Sequence, residues 1–470
     1  MRKFTKIIAT VGPSISSPGV MEQLLKSGVN AFRFNFSHGT REEHLEKIRW
    51  AMGLRRKGYV FALFADLSGP KFRLGEIEGG NIFLKRGQEF VLTTKKMKGD
   101  GRIAYAPLEP VIHQLKKGDI ILLADGTVEL EVKRVVGDSI TTIVRIGGEI
   151  SSHKGINIPN RMGNVCAITE KDQKDIEFAM SAGIRIFAIS FVGSEKDLLR
   201  AMEIFTQIGS SQAFIISKIE RHDAVLNFGK ILQMSGGIMI ARGDLAVEIP
   251  YWEVPILQKE LIIKSREAGR PVITATQMLR SILFNPVPTR AEISDIANAV
   301  LDGTDALMLS EETAVAQDPV RSVKVMRSIV AEAEKFQFRE KPYNMITVKD
   351  GGVEWEIAQS SVRLAHSIKA KIIITPTASG ATALRISSLR PNVPIVAPTF
   401  NDLVFEFLNL SYGVYPLKVN VMNNIDELLA EVKKKIFEKG FAKEGDFAVI
   451  TGGYPFGKPG TTNMLKVEKL

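Results

Sequence analysis

Eight short runs rich in β-branched and aromatic residues recur along the chain: TKIIAT, NAFRFNF, VFALFAD, IRIFAISF, AFIISKI, GIMIAR, PVITAT and DALMLS. Between several of them lie stretches with apolar residues at helical spacing, among them VMEQLLKSG, EKDQKDIEFAMSAG and VPILQKELIIKSREAG. Many of these stretches end in glycine just before the next run, as a helix C-terminus favours. Strands that are apolar throughout, rather than alternating, are buried on both faces, which predicts a parallel sheet covered by helices. About eight such units is the count of a (β/α)8 TIM barrel, so the expected fold class is α/β.

One interval breaks the rhythm. From VFALFADLSGP to about Ile168 there is no convincing long helix, only short strand patterns divided by glycine turns. This predicts an all-β lid domain over 70–166, inserted into a barrel domain made of 1–69 and 167–338. An insertion after the third strand leaves the barrel at its C-terminal mouth, where a hinged cap can close over a site. The polar segment EKFQFREKPYNMITVKDGG reads as a linker. Beyond it KIIITPT, a helix, VPIVAPT, a long helix and FAVITGG predict a smaller C-terminal α/β domain over 345–470.

Composition narrows the function. A chain of 470 residues exceeds what one core normally covers. No run of about 18 apolar residues is present to span a membrane, and the N-terminus lacks the pattern of a secretory signal. The single cysteine, Cys166, allows no intramolecular disulfide. A cytoplasmic protein is expected. The net charge of +10 comes from lysines and arginines dispersed in mixed segments, so small anionic substrates are expected rather than nucleic acid or a membrane.

The strand runs end in charged or hydroxyl side chains: Arg33, Asn35 and Ser37, then Asp66, Lys218 with Glu220, Arg242 with Asp244, Thr276, and Ser310 with Glu312. In a barrel these converge on the mouth that carries chemistry. Charges inside otherwise buried strands are costly unless they pair or bind something. Glu220 and Asp244 are hard oxygen ligands suited to Mg²⁺ or Mn²⁺, and no zinc-type His/Cys spacing exists. Arg33, Arg73, Lys154 and Lys218 are cations of the kind that hold phosphate oxygens. A divalent ion with several cations is equipment for phosphoryl transfer. There is no GxxxxGK[ST] loop and no HRD/DFG set, so the class is neither of those kinases.

The motifs ATVGPS, FRFNFSHG, DLSGPKFR, SHKGINIP, ISKIE, MIARGDLAVEIP, TATQML, PTRAEISDIANAVLDGTDALMLSEETA and GTTNM together resemble the pyruvate kinase family over nearly the whole chain. The resemblance implies Mg²⁺-dependent transfer of the phosphoryl group of phosphoenolpyruvate to ADP, giving pyruvate and ATP, the last step of glycolysis. It implies that Lys218 stabilises the migrating group and that Glu220 and Asp244 hold Mg²⁺ (or Mn²⁺). Arg33 would meet the transferred phosphate, Gly243 the substrate carboxylate, and Thr276 would belong to the relay that protonates the enolate. Arg73, Lys154 and Asn35 would serve the nucleotide. A homotetramer is also implied. A phosphorylated effector is a further expectation, near Thr377, Ser379, Gly380 and Thr382. An ordinary helix-capping loop is the alternative there.

Many family members need K⁺, held by the equivalents of Asn35, Ser37, Asp66 and the carbonyl of Leu67, and carry glutamate where this chain has Lys71. The ammonium of Lys71 could supply that charge, so activity without K⁺ is expected. Two smaller departures are Glu311 in LSEETA, where the family has glycine, and Ser68 in DLSGPK, where a lysine is common. Two other readings stand beside this one. Another Mg²⁺-dependent barrel enzyme handling an enolpyruvate substrate would need neither the lid nor Arg73 and Lys154. In a non-enzymatic role the basic chain would bind nucleic acid or a partner, and a catalytically dead family member would be expected to lose some of Lys218, Glu220 or Asp244, all of which are present.

Overall fold

In the computed structural model, eight parallel strands close into a barrel, each hydrogen-bonded to its neighbours in chain order: β1 (Lys6–Val11), β2 (Ala31–Asn35), β3 (Ala62–Asp66), β4 (Ile186–Ile189), β5 (Phe214–Ile219), β6 (Gly237–Ala241), β7 (Val272–Ala275) and β8 (Ala306–Leu309). The structure describes residues 3–159, 161, 165–209, 212–340, 346, 348, 351–420, 425–453 and 462–470. β1, β3, β4, β5, β6, β7 and β8 are buried at every position, which is why their sequences read as continuous apolar runs. The helices between them begin at polar caps. Thr40, Thr169, Ser194 and Thr289 each accept a backbone N–H of the first turn, reciprocated by an acidic side chain three residues on.

The chain leaves the barrel after β3 and returns before β4. Between lies a seven-stranded sheet running from Phe72–Arg73 to Gly155–Asn157, with its own core of Leu84, Phe90, Leu92, Leu130 and Ile140 among others. At the departure point the carboxylate of Asp172 accepts the N–H groups of Ser68 and Gly69, at 2.9 and 3.3 Å. Gly69 has φ +66°, and a Cβ there would lie 2.8 Å from the ring of Phe191, so only glycine fits this exit.

The C-terminal part forms a five-stranded sheet in the order Val414–Lys418, Ile395–Thr399, Ile372–Ile374, Phe447–Gly452, Met464–Lys469. The last strand is antiparallel to its neighbour. Two of these strands were not expected from the sequence. VYPLK and MLKVEK contain proline or alternate with charge because they lie at the two sheet edges, where continuous apolarity is not required. The single long helix expected after VPIVAPT is instead a short helix, Asp402–Phe407, the strand Val414–Lys418, and a longer helix, Ile425–Glu438.

The expected linker also needs correction. Its first residues, through Glu340, are the last turns of the helix Pro319–Glu340. Buried Glu334 accepts the N–H groups of Phe4 and Thr5 there, which ties that helix to the start of β1. Most of the rest of that segment (341–345, 347 and 349–350) lies outside the described residues, as do Gly460 and Thr461 of the GTTNM motif.

The C-terminal sheet domain and the barrel meet through a buried ionic joint. Asp305, just before β8, pairs with Arg390 at 2.8 Å and accepts the N–H of Tyr412 at 2.8 Å. Arg266 donates to the carbonyl of Ser388. Among the described residues no helix is long and apolar enough to cross a membrane.

Candidate active site at the barrel mouth

β5 places a lysine where its sequence is otherwise apolar, and the surrounding strands supply the compensation. Lys218 is 8% exposed. Its Nζ lies 2.6 Å from Ser190 Oγ, 2.8 Å from Glu220 Oε1 and 3.1 Å from Asp66 Oδ1. The other oxygen of Asp66 accepts Arg33 Nε at 2.6 Å, and Arg33 also donates to Thr10 Oγ1 at 3.1 Å. Burial alone would pull the Lys218 ammonium down, but Asp66 and Glu220 outweigh it and hold it above its ordinary value. Burial alone would raise Asp66, yet Arg33 and Lys218 keep its carboxyl below the usual range. Both groups are therefore ionised at neutral pH.

Glu220 is in the opposite condition. Its Oε2 accepts the N–H of Phe191 at 2.8 Å. Its Oε1 is buried and pairs with the Lys218 ammonium at 2.8 Å. Burial first, and then the negative charge of Asp244, raise its pKa against the pull of Lys218. Asp244 stands in the first turn of the helix Arg242–Glu248. Two carboxylates that repel each other at the edge of a buried site are the arrangement a divalent cation relieves. Among the described residues no group of three or more His, Cys, Asp and Glu could hold a metal. Substrate oxygens and water would complete the shell, which fits Mg²⁺ or Mn²⁺ and not a structural zinc.

Thr276 follows β7 in a conformation that a β-branched residue rarely adopts, φ +72°, and Gln277 comes next at +55°. The turn is held from outside. Arg242 donates to the carbonyls of Ala275 and Thr276, at 3.2 and 2.8 Å, and is itself tethered to Asp295 at 2.7 Å. The strain points Thr276 Oγ1 at Gly243, whose N–H it accepts at 2.9 Å. A Cβ on Gly243 would come no nearer than 3.6 Å to the protein, so this glycine leaves space beside the site rather than relieving a clash.

Arg73 and Lys154 are exposed neighbours on the edge of the inserted sheet, where Arg73 pairs with Gly155 in register. Arg73 donates to the carbonyl of His153 at 3.1 Å. His38 is held below its usual value by burial first and then by the charges of Arg73, Arg33 and Lys71. The oxygens expected to hold K⁺ are largely engaged. Asp66 is shared by Arg33 and Lys218, the Leu67 carbonyl accepts Ser190 Oγ at 2.7 Å, and Asn35 Oδ1 accepts the N–H of Ser37 at 3.3 Å. Lys71 does not reach this group. Its ammonium lies 3.2 Å from Asp244 Oδ1, on the metal side.

The two smaller departures are accommodated locally. Ser68 accepts from Lys171, whose ammonium also reaches the Phe36 carbonyl and Asp175, so a lysine charge returns from another helix. Glu311 opens a short helix. In the C-terminal domain Thr377 Oγ1 accepts the N–H of Gly380 at 2.8 Å, Ser379 Oγ accepts the N–H of Ala381 at 3.5 Å, and Thr382 pairs with Thr462 at 2.7 Å. Sequence reasoning passed over Ser190 and Phe191, because IRIFAISF ends without a charge. Its place as the fourth barrel strand was the one signal available.

The residues 1–323 match the family profile described as pyruvate kinase, barrel domain, and 356–468 match pyruvate kinase, alpha/beta domain. A pyruvate kinase of Thermotoga maritima is 41% identical over 99% of both chains. One of Thermococcus litoralis is 40% identical over 99% of this chain and 98% of its own. The crystal structure of a pyruvate kinase from Cryptosporidium parvum superimposes with a TM-score of 0.90, at 34% identity, covering 99% of this chain and 96% of that one. Matched in both domains and almost end to end, with no support for a different enolpyruvate-handling barrel, the chain belongs to the pyruvate kinase family, enzymes that transfer the phosphoryl group of phosphoenolpyruvate to ADP.

Proposed function

We propose that the family's reaction runs at this barrel mouth with Glu220 and Asp244 as the Mg²⁺ (or Mn²⁺) ligands and Lys218 on the migrating phosphoryl group. The observation that carries the reading is the buried Lys218 ammonium held between Asp66 and Glu220, with Asp244 close enough to repel Glu220. The ion, when bound, supplies charge neutralisation for the phosphoryl oxygens and the enolate. Arg33 and Lys218, fixed on one carboxylate, are preorganised cations that need little reorganisation as charge develops. The amide end at Gly243 receives the substrate carboxylate, which displaces Thr276 Oγ1 from the Gly243 N–H. Thr276 Oγ1, fixed by its strained turn, stands in the proton relay to the enolate. Arg73 and Lys154 bring the nucleotide phosphates in as the lid closes, with Asn35 on the same side, and closure keeps water from the phosphoryl group.

K⁺ is not required in this reading, because Lys71 adds a fixed positive charge to the mouth. The enzyme is a cytoplasmic homotetramer. Large apolar side chains on the barrel surface, including Tyr251, Trp252 and Phe284 at 71, 66 and 80% exposure, support self-association. A phosphorylated effector at Thr377, Ser379, Gly380 and Thr382 would have to displace that loop's internal hydrogen bonds. Titration with sugar phosphates and nucleotides tests it. The main reading is tested by a lactate-dehydrogenase-coupled assay. Glu220→Gln and Asp244→Asn should each lose activity and Mn²⁺ binding together, and Arg73→Met should raise KM for ADP while sparing that for phosphoenolpyruvate. Full activity in either carboxylate variant would overturn it.

A further inference from the structure

The loop after β4 carries a set of contacts that the reaction above leaves unused. Phe191 sits at φ +56°, a region that a bulky side chain occupies only when its surroundings hold it there. Its N–H is the donor to Glu220 Oε2 at 2.8 Å, so the strained peptide is also the one that aims this carboxylate. The carbonyl of Phe191 accepts from Arg221 Nη1 at 3.2 Å. Arg221 directly follows Glu220 and is 1% exposed. Its other terminal nitrogen pairs with Asp223. Gly193 makes room for the guanidinium, since a Cβ there would lie 3.1 Å from its Cζ.

We propose that Arg221 is a positioning residue of the divalent-metal site. By clamping the Phe191 carbonyl it keeps that residue's N–H on one oxygen of Glu220 and leaves the other oxygen to be shared between Lys218 and the ion. The inference rests on the reading of Glu220 as a metal ligand. A planar guanidinium spans a carbonyl and a carboxylate at once, which an ammonium does poorly. Partners one step behind a metal ligand commonly tune affinity by about 10–100-fold.

The test is Mn²⁺ binding to the full chain without substrates, read from the loss of the free-ion EPR signal. Arg221→Met should weaken binding about 10–100-fold, and Arg221→Lys should recover part of that loss. Asp223→Ala, which leaves the guanidinium in place but untethered, should weaken binding less than Arg221→Met. KM for ADP should not move in any of them. Glu220→Gln is the reference and should abolish binding. Native Mn²⁺ affinity in Glu220→Gln would bring down the metal reading and this inference together. Loss of binding in Glu220→Gln with native affinity in Arg221→Met and Asp223→Ala would overturn the inference alone. Should Arg221→Met not fold, Asp223→Ala and Arg221→Lys decide the matter by the same measure.

Discussion

The ammonium of Lys71, at the root of the lid, lies 3.2 Å from the carboxylate of Asp244 on the barrel. One contact thus joins the lid to the metal side of the site. It also brings a lysine charge into the mouth, on the metal side and not among the oxygens that hold a free cation in part of the family. In a bulky-ammonium buffer the native enzyme should form pyruvate at similar rates with and without KCl. Lys71→Glu should lose about tenfold or more in kcat without K⁺ and regain it with KCl. Strong K⁺ activation of the native chain would refute the assignment.

Lys218 is both catalytic and structural. Lys218→Met should lower kcat by about 10²–10³-fold, the scale of one lost preorganised donor. It also strands Glu220 in the interior, and breaking a buried ion pair costs about 3–5 kcal/mol. The melting temperature should fall accordingly. Adding Glu220→Gln to Lys218→Met should restore part of it, because the uncompensated charge is gone. An unchanged melting temperature in Lys218→Met would contradict the buried-pair description.

Lys6 gives a pH-dependent stability of defined sign. It is 1% exposed, donates to the Val414 carbonyl at 2.6 Å, and lies 4.5 Å above the Tyr415 ring. Burial, only partly opposed by Glu334 and Asp305, pulls its pKa down to about 7. The folded value is below the unfolded one. Stability is therefore highest above the unfolded pKa of about 10.4, falls as pH drops toward 7, and levels off below that. Lys6→Met removes this penalty. Its melting temperature relative to the native chain should be most favourable below about pH 7, and the advantage should shrink toward about pH 10. Scanning fluorimetry across pH checks it, and a pH-independent difference would count against it.

Arg390 and Asp305 are 1 and 4% exposed and join the two domains. Asp305 also accepts the N–H groups of Val272 and Tyr412. Arg390→Met should destabilise by about 3–5 kcal/mol, with calorimetry showing the C-terminal domain melting earlier or separately. Turnover well below that melting should be nearly native, since neither residue touches the mouth. An unaltered calorimetric profile would show that the joint contributes little.

Much of the fold could be read in the chain because it rests on local rules. Each barrel strand announced itself as a short apolar run, and the helices between them by apolar residues at helical spacing that end in glycine. The edge strand Val414–Lys418 escaped because an edge tolerates proline and polar residues. The start of the linker segment, through Glu340, escaped because its helix is stabilised by burial of Glu334 against Phe4 and Thr5, a contact made 329 and 330 positions away.

By itself the amino-acid sequence determined the order of strands and helices in the barrel, the inserted module, and which charges end which strand, because periodicity and residue chemistry are properties of neighbours. Only the tertiary structure decided that Arg33 and Lys218 share Asp66, that Lys71 turns to Asp244 rather than to the expected cation pocket, and that Phe191 and Thr276 are held at positive φ by arginines. Those outcomes depend on distances between strands far apart in the chain. They also depend on a low-dielectric interior that makes each buried charge choose a partner.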